Sequence, residues 1–421
     1  MKSAKVASSL SPRAVISLFS RLRTSSGQAD PLPAYKDLLH MGEVIPAPWG
    51  GYIVTSYRLC DLILRDKAWR VPDEDWRSSE SDAARWKSPS FLQMSKTLPM
   101  LNQPHHGRAR RALGNVFTPA VLDELRPGTV RIVDRLLDGF MNKLREGPAD
   151  FVTLVSEEIP VATIGEWMGI PAADYGLLRD LTHDQVFTQE LFPTASGIAT
   201  SDAATARLRS YFSDLIKERR KRPSDDPVSL WIRAWDEIEP DREAADESVH
   251  SLALFMLLAA LETTSHLLAD AVRLLLEHPR QLEDLRRHQD LIPAAIDEVL
   301  RYDAPIHMIS RIAPDDVELG GVPVRAGEMM HLMIGAAHHD PVQYIEPDRF
   351  NVRRRLEGSV AHLSFGAGAH YCLGSSLARL EASVLLSALL KRPERPYVSA
   401  STRWSPRIVF RRLTALELAL P

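Results

Sequence analysis

Cys372 closes the run Phe365-Gly-Ala-Gly-Ala-His370-Tyr-Cys372-Leu-Gly374 and stands just before a stretch with helical spacing, Ser375 to Leu390. A thiol at a helix start meets the positive end of the macrodipole and several unpaired amide N–H groups. Both favour the thiolate, the form that ligates a metal or attacks an electrophile. The upstream glycines let the backbone lie close against something flat or bulky. The segment reads as a thiolate presented to a cofactor. Taken without its neighbours, the same cysteine fits a buried structural thiol equally well. A nucleophile paired with His370 or His362 is a further reading, and it predicts a colourless protein.

A second group of reactive residues interrupts an apolar run. Ser251 to Leu261 is apolar on every side, which predicts a buried helix. Glu262-Thr263-Thr264 follows within the same periodicity. A carboxyl in a core is costly unless paired or wet, and a threonine hydroxyl can bond back to the previous turn. Together they can loosen one helical bond and hold water. By themselves they also fit an acid facing a solvent channel or an ion-pair partner. Elsewhere, Glu298 and Arg301 lie three apart and share a helical face, which in isolation is a surface pair of little consequence. His106 and Arg110 lie four apart on another predicted helix. The doublets His105-His106 and His338-His339 lack chelating geometry, because adjacent side chains diverge, so no second metal is expected.

The elements that must position these groups are mostly helical. Ala120 to Leu144, Thr205 to Lys221, Glu247 to Glu277 and Pro279 to Arg287 carry apolar residues at three- and four-residue spacing. Asp290 to Tyr302 reads as a helix capped by Asp290 and stopped at Ala304-Pro305. Strand signals are short: Gly51 to Thr55, Met329 to Ile334, and a Gly320-Gly321 hairpin joining Val317–Leu319 to Val322–Val324. His339 to Arg355 has no period and reads as a long ordered loop. No repeat or composition break divides the chain. The expectation is a mainly α fold, one large helical domain with small β-sheets over 30–421, preceded by a mobile basic tail at 1–29. The tail carries Lys2, Lys5, Arg13, Arg21 and Arg23 with no acid before Asp30. Its composition resembles a transit peptide, but Pro12 interrupts it.

Bulk properties exclude several classes. The chain has 421 residues, 45% hydrophobic and 25% charged, as in ordinary soluble proteins. A net charge of −4 gives no sign of a nucleic-acid partner. Two cysteines, Cys60 and Cys372, exclude a disulfide framework and point to a reducing, cytoplasmic setting. No membrane span is expected, since spanning needs about 20 apolar residues.

The motifs together resemble the cytochrome P-450 family, of the soluble bacterial type. Phe365, Gly368, His370, Cys372 and Gly374 fill the family's F-x-x-G-x-H-x-C-x-G loop. The resemblance implies that Cys372 is the axial ligand of haem b, iron protoporphyrin IX. Ala259-Ala260-Leu261-Glu262-Thr263-Thr264 is similar to the A-G-x-[D/E]-T-T of the family's central helix, with Ala259 beside the haem and Ala260 where glycine is usual. Thr263 would then hold oxygen and its waters, and Glu262 would connect them to a proton source. Glu298, Arg301 and Arg349, the last from Pro347-Asp348-Arg349-Phe350, match a structural network behind the cysteine loop. His106, Arg110, Arg311 and His370 match partners of the haem propionates.

The same resemblance implies a monooxygenase that inserts one atom of O2 into a C–H or C=C bond of a lipophilic small molecule, of the secondary-metabolite kind. Thiolate ligation favours O–O cleavage. Oxidative coupling or desaturation is an alternative outcome, and a haem-based gas sensor is the non-enzyme alternative. Electrons would come from a ferredoxin and its reductase, docking on Arg108, Arg111, Arg353, Arg354, Arg355 and Arg379. By family position Met94, Leu98, Phe187, Ile306, His307, Met308, Ile309, Ile408 and Val409 line the substrate pocket. The flanking stretches Trp76 to Met100 and Thr182 to Ala199 are expected to be irregular lids.

Overall fold

A computed structural model describes residues 11–73, 76–77, 84–114 and 116–421. The expected single domain comprises two compact units, 1–70 with 133–156 and 263–421, and 71–132 with 157–262. Two long helices, Pro119–Glu146 and Arg242–Glu277, belong in sequence to both.

The first unit holds the sheets. A four-stranded sheet runs Val44–Pro46, Tyr52–Val54, Met329–Met333, Met308–Ile312. Ile53 pairs with His331 in parallel, and Ser310 faces His331 from the antiparallel side. Val54, Cys60, Ile63, Leu332 and Ile334 belong to the apolar cluster at this sheet. Burial pushes the Cys60 thiol pKa well up, which keeps it protonated and inert. The hairpin forms as expected, with Leu319 opposite Val322 and both turn glycines at positive φ. The helix Pro279–Arg287 has the expected bounds. Asp290 does not cap its helix: Gln289–Leu291 is a 3-10 turn that runs into Ile292–Tyr302, with Leu291 at the cap.

The expected mobile tail is folded from Pro12 onward. Pro12 is the first residue of a helix, Pro12–Leu22, where a missing N–H costs nothing. Val15, Leu18, Phe19 and Leu22 are buried. Positions 1–10 lie outside the described residues. A short helix, Ser25–Ala29, follows. Its buried Gln28 donates to Leu22 O at 2.8 Å and Arg407 O at 2.6 Å, and its carbonyl accepts from Arg411 Nη1. Arg411 lies over the Trp404 ring, 3.8 Å from its centroid. Its partner Asp303 also accepts from Arg273, which pairs with Asp270 at 2.6 Å.

The second unit is helical, with His105–Leu113, Glu158–Trp167, Tyr175–Gln185, Ala195–Lys221 and Pro227–Ile238. Leu178, Leu208, Phe212 and Trp231 are fully buried among them. The stretch expected to be an irregular lid, Thr182 to Ala199, is helical at both ends. Tyr175–Gln185 passes into a 3-10 turn, Val186–Gln189, and Thr194 caps the next helix by accepting from Gly197 N at 3.0 Å. Residues 78–83 of the other expected lid, Trp76 to Met100, lie outside the described residues. Its later part is helical, with Pro89–Ser95 capped by Ser88 between the 3-10 turns Ala84–Lys87 and Leu98–Met100.

Arg242–Glu277 has the length and composition to cross a bilayer, but 78% of its most apolar window is buried, as in a core helix.

Candidate functional site

The cysteine loop is built by two left-handed glycines and a helix start. Gly366 and Gly368 both have φ of 67°. A Cβ on Gly368 would stand 2.4 Å from the Leu64 carbonyl oxygen, so only glycine lets the loop lie there. Cys372 N donates to Phe365 O at 2.9 Å, which closes the loop on itself. Gly374 caps the 17-residue helix Ser375–Lys391. Cys372 is half-buried, two residues before that cap. Arg379 stacks over the Phe365 ring at 4.5 Å and bonds Asp297 at 3.0 Å. His362, which a nucleophile reading would pair with Cys372, is committed elsewhere. One ring nitrogen faces Asp297 at 3.4 Å and the other accepts from Ser364 N at 3.2 Å.

Behind this loop Glu298, 2% exposed, is held by two arginines. Arg301 grips it in bidentate fashion at 2.8 Å on each oxygen. The second arginine is Arg354, whose Nε lies 3.1 Å from both oxygens. This corrects the expectation of Arg349. The Arg349 side chain turns outward and pairs with Glu346 at 3.0 Å. Only its carbonyl enters the network, accepting from Arg354 Nη2 at 2.6 Å. Arg354 also donates to Ile345 O and Glu346 O, so one side chain pins the 345–354 loop. The histidine doublet serves the same scaffold. His338 O accepts from Arg301, and His338 Nε2 accepts from Leu363 N at 2.7 Å. Burial holds the His338 pKa well below its ordinary value, which keeps that nitrogen an acceptor. His339 bonds Tyr302 O at 3.0 Å.

Arg311 is the clearest sign of a bound anion. It is 8% exposed, on the edge strand Met308–Ile312. It donates to Ser310 O, and burial lowers its pKa to about 10. No carboxylate lies within ion-pair distance of it among the described residues. A buried guanidinium is costly unless an anion meets it. An acidic cofactor edge fits that requirement. His370 ends the 3-10 turn Gly368–His370 in the same unit. In the second unit His106 is 3% exposed and lies 3.3 Å from Gln103 Nε2, with Arg110 one turn along the same helix.

The apolar part of the central helix opens around Ala259 to Thr263. Ser251 to Leu258 is buried except for Phe255; Ala259 is exposed and Ala260 half-buried. Thr263 is half-buried, and Glu262 is 2% exposed. Glu262 Oε2 lies 2.9 Å from His183 Nδ1, a pairing the sequence reading missed. Nothing local marks two residues 79 apart as partners.

Of the expected pocket residues in the first unit, Ile306 and Val409 sit on adjoining backbone. Ile306 bridges Phe410, and His307 N donates to Val409 O at 2.9 Å. Met308 and Ile408 are buried. His307 is 1% exposed, and its ring bonds Tyr35 Oη at 2.9 Å. Ile309 packs on the sheet cluster. Met94 and Leu98 are buried and Phe187 half-buried in the second unit. The expected basic docking face is largely neutralised. Arg354 is buried, Arg353 is bidentate on Asp284, Arg379 pairs with Asp297 and Arg108 with Glu239.

Comparison with known proteins agrees with this arrangement. The family model described as Cytochrome P450 matches residues 190–394. The chain is 32% identical over 384 residues to the biotin biosynthesis cytochrome P450 of Bacillus subtilis (strain 168), covering 90% of this chain and 92% of that one. It is 31% identical over 398 residues to cytochrome P450 monooxygenase PikC of Streptomyces venezuelae, covering 93% and 91%. Among solved structures it is similar to P450BioI in complex with hexadec-9Z-enoic acid ligated acyl carrier protein, with a TM-score of 0.84 and 29% identity over 94% of this chain and 100% of that chain. The chain belongs to the cytochrome P450 family. It is an oxidoreductase of the bacterial monooxygenase type, with a haem cofactor, a small organic substrate, O2 and a redox partner.

Proposed function

We propose that this protein is a cytoplasmic, haem b-dependent monooxygenase that oxidises a C–H or C=C bond of a lipophilic secondary-metabolite-like molecule, with electrons from a ferredoxin and its reductase. When bound, a thiolate-ligated haem supplies the activation of O2. Cys372 would hold the iron, with Phe365 and Gly374 shaping the loop around the sulfur. Arg311, His370, His106 and Arg110 would take the propionates, and Ala259 would lie against the ring. The observation that carries this reading is the pairing of a half-buried thiol at a helix start with a buried Arg311 that has no ion-paired acid among the described residues.

The chain's own residues have three tasks. Glu298, Arg301 and Arg354 hold the cysteine loop in register. Glu262 and the Thr263 hydroxyl hold and move protons, because cleaving O–O to water consumes two of them. Met94, Leu98, Phe187, Ile306, Met308 and Val409 orient an apolar substrate and keep water out. Cys372→His tests the ligand: the reduced, carbon-monoxide-treated protein is expected to lose its thiolate spectrum, and a retained spectrum would remove Cys372 from that role. Screening a library of polyketide, terpene and fatty-acyl compounds for a low-to-high spin shift identifies the substrate class.

A further inference from the structure

Glu262 does not end at the core; it continues into a buried chain. His183 lies in the last turn of Tyr175–Gln185 with its side chain 13% exposed. Its Nδ1 is 2.9 Å from Glu262 Oε2, and its Nε2 is 3.3 Å from Glu157 Oε1, within ion-pair range. Glu157 is 6% exposed and directly precedes the helix Glu158–Trp167. All three residues lie in one compact unit. An imidazole between two carboxylates has one nitrogen for each, and imidazole can both take up and give up a proton. The remaining charges around it come from the same elements. Arg179 bonds Glu158 and Asp180 and also feels Glu157, and Asp184 follows His183 in sequence.

We propose that His183 is a positioning residue for proton supply, linking Glu157 to Glu262 as a carboxyl–imidazole–carboxyl relay. The inference rests on the reading of Glu262 as proton donor. The step balances without redox change. Glu262 gives up its proton and takes another from His183 Nδ1–H, while His183 Nε2 gains one from Glu157, which is recharged from solvent. A histidine that serves only to neutralise Glu262 would need one nitrogen near an acid. The second carboxylate, on the far nitrogen and reached from a different helix, is what a relay requires.

The test uses the haem-loaded protein and the isosteric variants His183→Gln, Glu157→Gln and Glu262→Gln, with haem content and circular dichroism as checks on folding. Oxygen consumption, driven by a surrogate ferredoxin and reductase, is followed in H2O and D2O from about pH 5 to about pH 9, spanning the ordinary imidazole range. A second readout is independent of turnover. Infrared difference spectra follow the Glu262 carboxyl stretch against pH, assigned by its loss in Glu262→Gln. His183→Gln is expected to slow oxygen consumption by about tenfold or more, below the full 10²–10⁴ of a general acid. It should also remove the imidazole limb of the pH profile, enlarge the solvent isotope effect and displace the midpoint of the Glu262 band. Glu157→Gln should do the same more weakly. If Glu262→Gln lowers the rate but neither His183→Gln nor Glu157→Gln changes profile, isotope effect or band, the relay is overturned and Glu262 stands. If Glu262→Gln itself changes nothing, the underlying reading fails.

Discussion

Replacing Arg354 and Arg349 in parallel separates the observed network from the one the motif suggests. Arg354→Met removes one of two cations from a carboxylate whose side chain is 1% exposed, and it removes one donor from each of three loop carbonyls. Breaking one partner of a buried ion pair costs about 3–5 kcal/mol. Arg349→Ala removes a pair whose side chains are 62% and 64% exposed, which is worth under about 1 kcal/mol. Scaled by an unfolding entropy of about 2.1 cal/mol/K per residue, the first loss lowers Tm by about 3–6 °C and the second by about 1 °C or less. Arg354→Met should also release haem faster, because the 345–354 loop is tied through Glu298 to Arg301 and on through His338 to Leu363, two residues before Phe365. Calorimetry with haem transfer to excess apomyoglobin measures both. Equal shifts for the two variants, or a larger one for Arg349→Ala, would refute the assignment of Arg354.

Arg311→Met is expected to raise the haem off-rate by about 10- to 100-fold, the value of a hydrogen bond to a charged group, while leaving the apoprotein as stable as before or more so; apoprotein melting and haem transfer check the two halves. Acid stability has two limbs. Burial, then Arg209, holds His250 at about 4, so it stays neutral in the fold while the unfolded residue protonates near 6.5. That contribution is lost as pH falls from about 6.5 to about 4, and His250→Gln should flatten this part of a Tm–pH curve. Burial raises the Glu247 pKa, but bonds from Arg209 and Lys96 outweigh it and leave it at about 2. Its contribution is full above the unfolded value near 4.5 and disappears as pH falls through about 2, so Glu247→Gln should flatten the lower part of that curve. Gly368→Ala must displace the cysteine loop, whereas Gly358→Ala, also at positive φ but with nothing within 4 Å, strains only its own backbone; haem content after expression distinguishes them.

Periodicity was sufficient for the existence of the long helices and for the Gly-Gly hairpin, because those patterns repeat within a short window, but it placed the start of Ala195–Lys221 ten residues late, at Thr205. It was not sufficient for Arg349. The motif fixes where an arginine occurs but not which way it points, and the turns between Glu346 and Arg354 carry the next but four residue inward instead. Pro12 looked like an interruption because a proline breaks a helix in its middle yet opens one at its first position. His307 belonged to an apolar run, but its ring bonds Tyr35, 272 residues away. Such pairings are set by tertiary contact alone. The interruption of the apolar run Ser251 to Leu261 by Glu262 with Thr263 was visible from sequence because a carboxyl there conflicts with its surroundings.

The bonds joining Gln28 to Arg407 and Arg411 have a consequence for synthesis. The helix at Ser25–Ala29 leaves the ribosome early, yet its partners are made some 380 residues later. At about 5–20 residues per second, that segment waits on the order of 20 to 80 seconds before it can dock. During that interval the side chain and carbonyl of Gln28 lack their final partners, so the nascent chain is expected to leave that segment undocked until its last strands emerge.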